Sequence, residues 1–281
     1  MIVAVGSLKG SPGATTVALG LADRWPADGG DPLVVEADPD GGDLAGRFSL
    51  AAARGLVSLA AAARRPDAAR SVDEHVHELP GGLGVVVAPP GAEQARQVLA
   101  QLAGGGWSLL WSAARAQGRP VIVDVGRFDP TGPAGPALGA ADVVLLVVRG
   151  RTDELAQLAA RLPTIRSARL ASWFVVVVEE AGRSAGFPVS TVSRALGERV
   201  LGPVPHDPAA AAVLAGARRT RGGIGRSRLG RAVAALAGFL ADRDPDELTP
   251  VVSSPVAALE PAAPAAGAGW LPEVPVARRP V

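Results

Sequence analysis

Residues 2–16 read Ile2-Val3-Ala4-Val5-Gly6-Ser7-Leu8-Lys9-Gly10-Ser11-Pro12-Gly13-Ala14-Thr15-Thr16, and this stretch decides the fold. Ile2 to Val5 is a short apolar run that ends at Gly6 and Ser7. Thr15 to Arg24 reads as a helix, with Val17, Leu19, Leu21 and Ala22 available for burial. A glycine-containing loop between a buried strand and a helix start is the setting of a phosphate cradle. Such a loop works through inward-facing backbone N–H groups and the positive end of the helix behind it. Gly10 and Gly13 permit backbone conformations that a Cβ resists. The same residues also read as a plain glycine-rich turn, and the motifs farther along the chain weigh against that alternative.

Lys9 is the only lysine in the chain. A phosphate loop of the usual kind carries a lysine where Ala14 stands, just before the Thr15-Thr16 pair. Its loss takes a full positive charge away from the β- and γ-phosphates. A charge-assisted hydrogen bond is worth roughly 1.5–3 kcal/mol, which sets the loss of affinity at about one to two orders of magnitude. Binding through the N–H cradle and a magnesium ion on the Thr15 hydroxyl is expected to survive. Hydrolysis is expected to suffer more, because charge neutralisation is most of the work in phosphoryl transfer.

Two further strands end in acids. Leu33-Val34-Val35-Glu36 runs into Ala37-Asp38-Pro39-Asp40, and Val121-Ile122-Val123 runs into Asp124. A carboxylate in the second position can hold magnesium through its waters. The first is also readable as an acidic turn in which Asp40-Gly41-Gly42-Asp43 caps the helix that follows.

The loop resembles the deviant Walker A loop of the MinD/ParA family of P-loop ATPases, Lys-Gly-Gly-x-Gly-Lys-Thr-Thr. Lys9, Gly10, Gly13, Thr15 and Thr16 match it, Ser11 replaces a glycine and Ala14 replaces the second lysine. The resemblance implies nucleotide contacts for Lys9, Gly10, Ser11, Gly13, Ala14, Thr15 and Thr16, with ATP and Mg2+ as cofactors. It implies that Lys9 reaches the phosphates held by the opposite subunit of a sandwich dimer. Glu36-Ala37-Asp38-Pro39-Asp40 resembles the family's Asp-x-Asp-Pro-Gln switch I, with Asp40 in place of the glutamine. Asp38 would then orient the attacking water or support the magnesium shell, and Lys9 and Asp38 are the candidate catalytic pair. Thr15, Asp38 and Asp124 are the candidate metal residues. After Asp124 the chain continues Val125-Gly126-Arg127, which departs from the family's switch II. Gly126 is expected to offer its N–H to a γ-phosphate, and Arg127 is readable as a replacement cation but more readily as a solvated surface arginine. Residues 200–208 resemble the family's late strand, which ends near the nucleotide base.

The coarse pattern supports an α/β fold, a doubly wound and mostly parallel sheet of about seven strands with helices on both faces. Strand-like runs lie near residues 2–6, 33–38, 83–88, 120–125, 143–148, 174–178 and 200–204. Helical stretches lie near 15–25, 52–64, 92–103, 107–117, 152–162, 190–197, 207–216 and 226–241. The apolar runs are continuous, as in parallel strands covered on both faces. The loop and both acids then fall on the edge where such sheets bind ligands. A nucleotide-binding domain is expected over residues 1–246, followed by a Pro/Ala-rich disordered tail over 247–281.

The chain has 281 residues, is 48% hydrophobic and carries a net charge of +1, ample for a large core of Val, Leu and Ala. It contains no cysteine, which excludes disulfides and thiolate zinc sites. No apolar run approaches the roughly 20 residues needed to span a bilayer. Met1 runs straight into a strand rather than a signal peptide. A cytoplasmic location is expected, with peripheral contact at nucleoid or membrane. Arg218, Arg219, Arg221, Arg226, Arg228 and Arg231 form a basic stretch without an acid, a candidate surface for nucleic acid or an anionic membrane and equally readable as a solvated loop. The helix from Leu229 to Leu240 reads as a final core helix. His75 and His77 read as a surface pair, and Trp107, Trp111 and Trp173 as packing residues. The end of the tail, Trp270 to Arg279, is readable as a docking motif or as solvated chain.

The resemblance implies an ATP-dependent dimerising switch that positions or partitions a cargo such as a chromosome, plasmid, division or surface machinery, with hydrolysis weak or absent. A non-hydrolysing scaffold that recruits partners is the alternative. A metabolic P-loop enzyme is a third, for which no substrate motif is evident.

Overall fold

The computed structural model describes residues 1–65, 72–168, 170–180, 186–196 and 199–244. The readings made above for residues 247–281 therefore lie outside the described residues. Eight strands form one sheet: β1 (Ile2–Ser7), β2 (Leu33–Glu36), β3 (His77–Glu78), β4 (Gly84–Val86), β5 (Val121–Arg127), β6 (Val143–Arg149), β7 (Trp173–Glu179) and β8 (Val200–Pro205). Their order is β3-β4-β2-β5-β1-β6-β7-β8, and only the β3–β4 pair is antiparallel. The seven expected strands are all present. The eighth is a two-residue edge strand, too short to leave a pattern in the sequence.

The helices are α1 (Ala14–Asp23), α2 (Leu44–Arg47), α3 (Ser58–Ala63), α4 (Ala92–Leu102), α5 (Gly106–Ala116), α6 (Gly135–Ala140), α7 (Thr152–Ser167), α8 (Val189–Leu196), α9 (Pro208–Leu214) and α10 (Arg228–Ala241). The stretch expected to be helical over 52–64 is broken. Arg54 and Gly55 leave helical geometry, and the Leu56 N–H donates to the Val87 carbonyl at 3.0 Å, which pins the chain to the end of β4. Helix α6 is too rich in Gly and Pro to stand out, and it forms by packing on β1 and β5. Helix α7 runs past Pro163 because Leu162 and Ile165 are both buried. Its apolar face outweighs the backbone bond that proline removes.

Alternation along β1 divides the core. Ile2 and Ala4 face one layer with Leu99 of α4, Leu110 of α5 and Leu158 of α7. Val3 and Val5 face the other with Val17 and Leu21 of α1 and Leu229 and Val233 of α10. Burial on both faces explains the unbroken apolar strands. Helix α10 is a core helix, as the spacing of its apolar residues suggests, and Phe239 meets Phe174 edge-on with centroids 6.1 Å apart. Trp107 and Trp111 stack at 5.2 Å, and Arg199 lies 4.3 Å over Trp173. His75 and His77 do not form the surface pair expected. His75 is buried, with Nδ1 2.8 Å from the Ser58 hydroxyl, and His77 Nε2 lies 3.1 Å from the Ala51 and Arg54 carbonyls.

Candidate nucleotide site at the carboxyl edge of the sheet

Strand β1 ends in the middle of the sheet, with β5 on one side and β6 on the other. The chain turns at Gly10 (φ +69°), reaches Gly13 (φ +102°) and enters α1 at Ala14. Gly13 is the N-cap in the left-handed region, which only glycine adopts cheaply, and makes no side-chain cap. Among the described residues nothing accepts from the backbone N–H groups of Gly13, Ala14, Thr15 or Thr16. Free N–H groups at a helix start are what an anion needs. Lys9, Gly10 and Ser11 are exposed, Thr15 and Thr16 are half-buried, and Ala14 sits at the edge of the apolar layer under α1.

Asp124 stands near the end of β5, directly behind the helix start. It is buried and takes the Gly126 N–H at 3.1 Å on Oδ1, and the Thr15 hydroxyl is near enough to lower its pKa. Burial pushes its carboxyl up to about 6, against the lowering by the Thr15 hydroxyl and the Gly126 N–H, and the charge of Asp38 adds to the rise. Asp38 follows β2 and accepts the Asp40 N–H at 2.8 Å. Burial raises its pKa, and the charges of Asp40 and Asp43 raise it further. Gly126 (φ +62°) lies between the two acids, and a Cβ there would overlap the Asp38 carboxyl group. Its N–H is committed to Asp124, so the expected donation to a γ-phosphate requires that bond to open.

The structure thus gathers Thr15, Asp124 and Asp38 at one corner. A hydroxyl and carboxylates fit magnesium, which takes one or two protein ligands and completes its shell with phosphate oxygens and water. Among the described residues no three of His, Cys, Asp or Glu form a metal cluster by themselves. The donor set therefore suits a metal that arrives with a phosphate ligand.

Glu36, the first acid of the switch-like stretch, is structural. Its Oε1 accepts from Asp43 N–H at 2.6 Å and Leu44 N–H at 2.9 Å, and its Oε2 from Ala88 N–H at 3.0 Å. Burial still pushes its carboxyl up to about 7. Asp40, in the glutamine position, pairs with Arg96 of α4 at 2.7 Å. Arg127 is exposed beside Asp38, whose pKa its charge lowers.

Sequence inspection did not find Arg149 at the end of β6. Its Nε donates to Glu154 Oε1 and its backbone N–H to Glu154 Oε2, both at 2.7 Å. The guanidinium lies against Gly10. Next to it, between the ends of β6 and β7, is a cleft of about 180 Å³ lined by Gly150, Glu179, Glu180, Phe187 and Pro188. Strand β8 brings residues 200–205 to the same edge, where His206 N–H donates to the Glu179 carbonyl at 2.8 Å.

All six arginines of the basic stretch are exposed. They occupy the loop between α9 and α10 and the first turn of α10, and no acid among the described residues pairs with any of them. Buried Ile224 anchors the loop, and Thr220 closes it with a 2.7 Å bond to the Gly223 carbonyl.

The chain has the fold of the MinD and ParA P-loop ATPases. It is similar to a ParA-family ATPase of Chlorobium tepidum, with a TM-score of 0.67 and 17% identity over 85% of this chain and 98% of that one. The MinD protein of Pyrococcus horikoshii in complex with Mg-ADP gives 0.65 and 17%, over 85% and 95%. McdA of Cyanothece in complex with ATP gives 0.63 and 16%, over 86% and 96%. No protein-family model and no curated protein matches the chain. At these identities the likeness is one of fold, and the chemistry is argued from the site. No helix among the described residues is long and apolar enough to cross a membrane.

Proposed function

We propose that the protein is an ATP-binding switch of the MinD/ParA type that dimerises with nucleotide and positions or partitions a cellular cargo. One observation carries this: the turn before α1 has free N–H groups, and Thr15 at its end stands beside the buried Asp124, with Asp38 across Gly126. A triphosphate laid on the turn brings its β and γ oxygens to the corner where those three side chains meet. Magnesium held there would neutralise the developing charge of phosphoryl transfer. Thr15 and Asp124 would hold it, and Asp38 would orient water. Lys9 projects exposed from the loop, which suits a contact with a facing subunit. The solved relatives with Mg-ADP and ATP bound support the same cofactors.

Ala14 supports slow or absent turnover, and with it the second reading, a scaffold that binds nucleotide without hydrolysing it. Phosphate release separates the two: turnover that disappears in Asp38→Ala excludes the scaffold, and no release from the wild type establishes it. The exposed arginines suit an anionic surface, nucleic acid or lipid, as the track on which such a switch works. Isothermal titration with Mg-ATP tests the whole proposal. Saturable heat is expected, and its absence at millimolar nucleotide would overturn it.

A further inference from the structure

We propose that Arg149 supplies the cation that the loop lacks at position 14, donating from its guanidinium to the phosphates of the bound nucleotide. The inference rests on the nucleotide-binding reading above and assigns a specific residue to it.

Strand β6 runs beside β1 with Ser7 level with Val147, so Arg149, two residues on, comes level with the start of the loop. Glu154, itself 5% exposed, holds this arginine by both its backbone N–H and its Nε. One bond from the backbone and one from Nε, both to the same buried carboxylate, tether the arginine at its base and at its head. Nη1 is directed at Glu180, 3.8 Å away. Nη2 is directed at the loop, 3.2 Å from where a Cβ on Gly10 would stand, and has no acceptor among the described residues. A guanidinium carries five N–H donors in a rigid fork suited to phosphate oxygens. Here Nε is anchored in advance and the open prong lies beside Gly10 at the start of the loop.

Lys9, Arg47 and Arg127 are not placed this way, and Arg47, whose charge also acts on Asp124, is paired with Asp43 at 2.6 Å. Lys9 is exposed and points its charge out of the loop's own subunit under the proposal above. Arg127 is exposed, and no hydrogen bond of its side chain fixes it among the described residues. Glu154 and Glu180 offset the charge of Arg149 in the free protein. The Glu180 contact is long, and a phosphate oxygen is the better acceptor for the same fork. Glu154 is then a positioning residue. A side chain at Gly10, where φ is +69°, would come within 3.2 Å of Nη2 and push the arginine aside.

The test is fluorescence titration of the full chain with a labelled ATP in the presence of magnesium, with unlabelled ATP and inorganic tripolyphosphate as competitors. Arg149→Gln is expected to weaken ATP and tripolyphosphate by the same factor, about 10- to 100-fold. Arg149→Lys should recover part of the loss. The double variant Arg149→Gln/Glu154→Gln removes both charges together and leaves two amides able to bond each other. It reads the same loss should the single variant not fold. Unchanged affinity in the glutamine variant, or a loss for ATP with none for tripolyphosphate, overturns the inference while leaving nucleotide binding intact. A wild-type chain that binds neither ligand overturns the nucleotide reading instead, and this inference with it.

Discussion

The carboxylate of Asp38 occupies the space that any side chain at position 126 would need. Gly126 is at φ +62°, its N–H is bonded to Asp124, and a Cβ built on it overlaps the Asp38 carboxyl group. The ends of β2 and β5 are therefore locked together through a residue that has no side chain. Gly126→Ala must move Asp38 and also pay for a left-handed alanine, a strain of about 1–2 kcal/mol by itself. Urea denaturation should show a loss of about 2 kcal/mol or more. Any phosphate release should fall with it, since the acid proposed to orient water is displaced.

Under the proposed switch, Lys9 acts in assembly rather than in binding by its own subunit. It is exposed in the single chain and bonds to nothing among the described residues. Lys9→Ala should leave ATP affinity of the monomer within about threefold of wild type, a change under 1 kcal/mol. It should abolish the ATP-dependent shift to a dimer in light scattering. An equal loss of both would place Lys9 in the cradle of its own subunit.

Glu36 makes stability depend on pH. Its folded pKa is raised by burial from about 4.5 to about 7. A raised acid binds protons more tightly in the folded state, so its contribution is full below the ordinary value and is lost as pH rises to the folded one. Asp124, raised to about 6, and Asp38, raised as well, act in the same direction. The ligand-free protein should melt at a higher temperature at pH 5 than at pH 8, with up to about 3 kcal/mol attributable to Glu36. Glu36→Gln should flatten that slope. It should also cost about 1–3 kcal/mol at pH 5, because an amide N–H₂ would face the Ala88 N–H.

The arginines between α9 and α10 predict a salt-dependent contact. Binding of duplex DNA, read by fluorescence anisotropy, should lose affinity steeply with added salt. Each phosphate contact removed by Arg218→Glu, Arg219→Glu or Arg221→Glu should reduce the log–log slope by about 0.9. A slope that is unchanged in the triple variant would remove these residues from the interface.

Much of the fold was legible because burial on both faces writes long apolar runs into the sequence. Val121–Val123 and Val143–Val148 could hardly be anything but central parallel strands. The strand-to-helix turn was legible for the opposite reason, since Gly10 and Gly13 stand where the backbone takes positive φ. What escaped was tertiary. Nothing near position 55 announces that Leu56 will bond the Val87 carbonyl and break a helix. The buried role of Glu36 depends on Ala88, which is 52 residues away. Arg149 and Glu154 are five residues apart at a strand-to-helix junction, and only the registration of β6 beside β1 reveals that they stand beside Gly10.

The most direct measurement is the mass of the full chain in solution with magnesium, alone, with ADP and with a non-hydrolysable ATP analogue. A monomer that becomes a dimer only with the triphosphate, and fails to do so in Lys9→Ala, is the predicted result. A chain whose mass is the same in all three conditions, with no heat of binding at millimolar ATP, would contradict the switch.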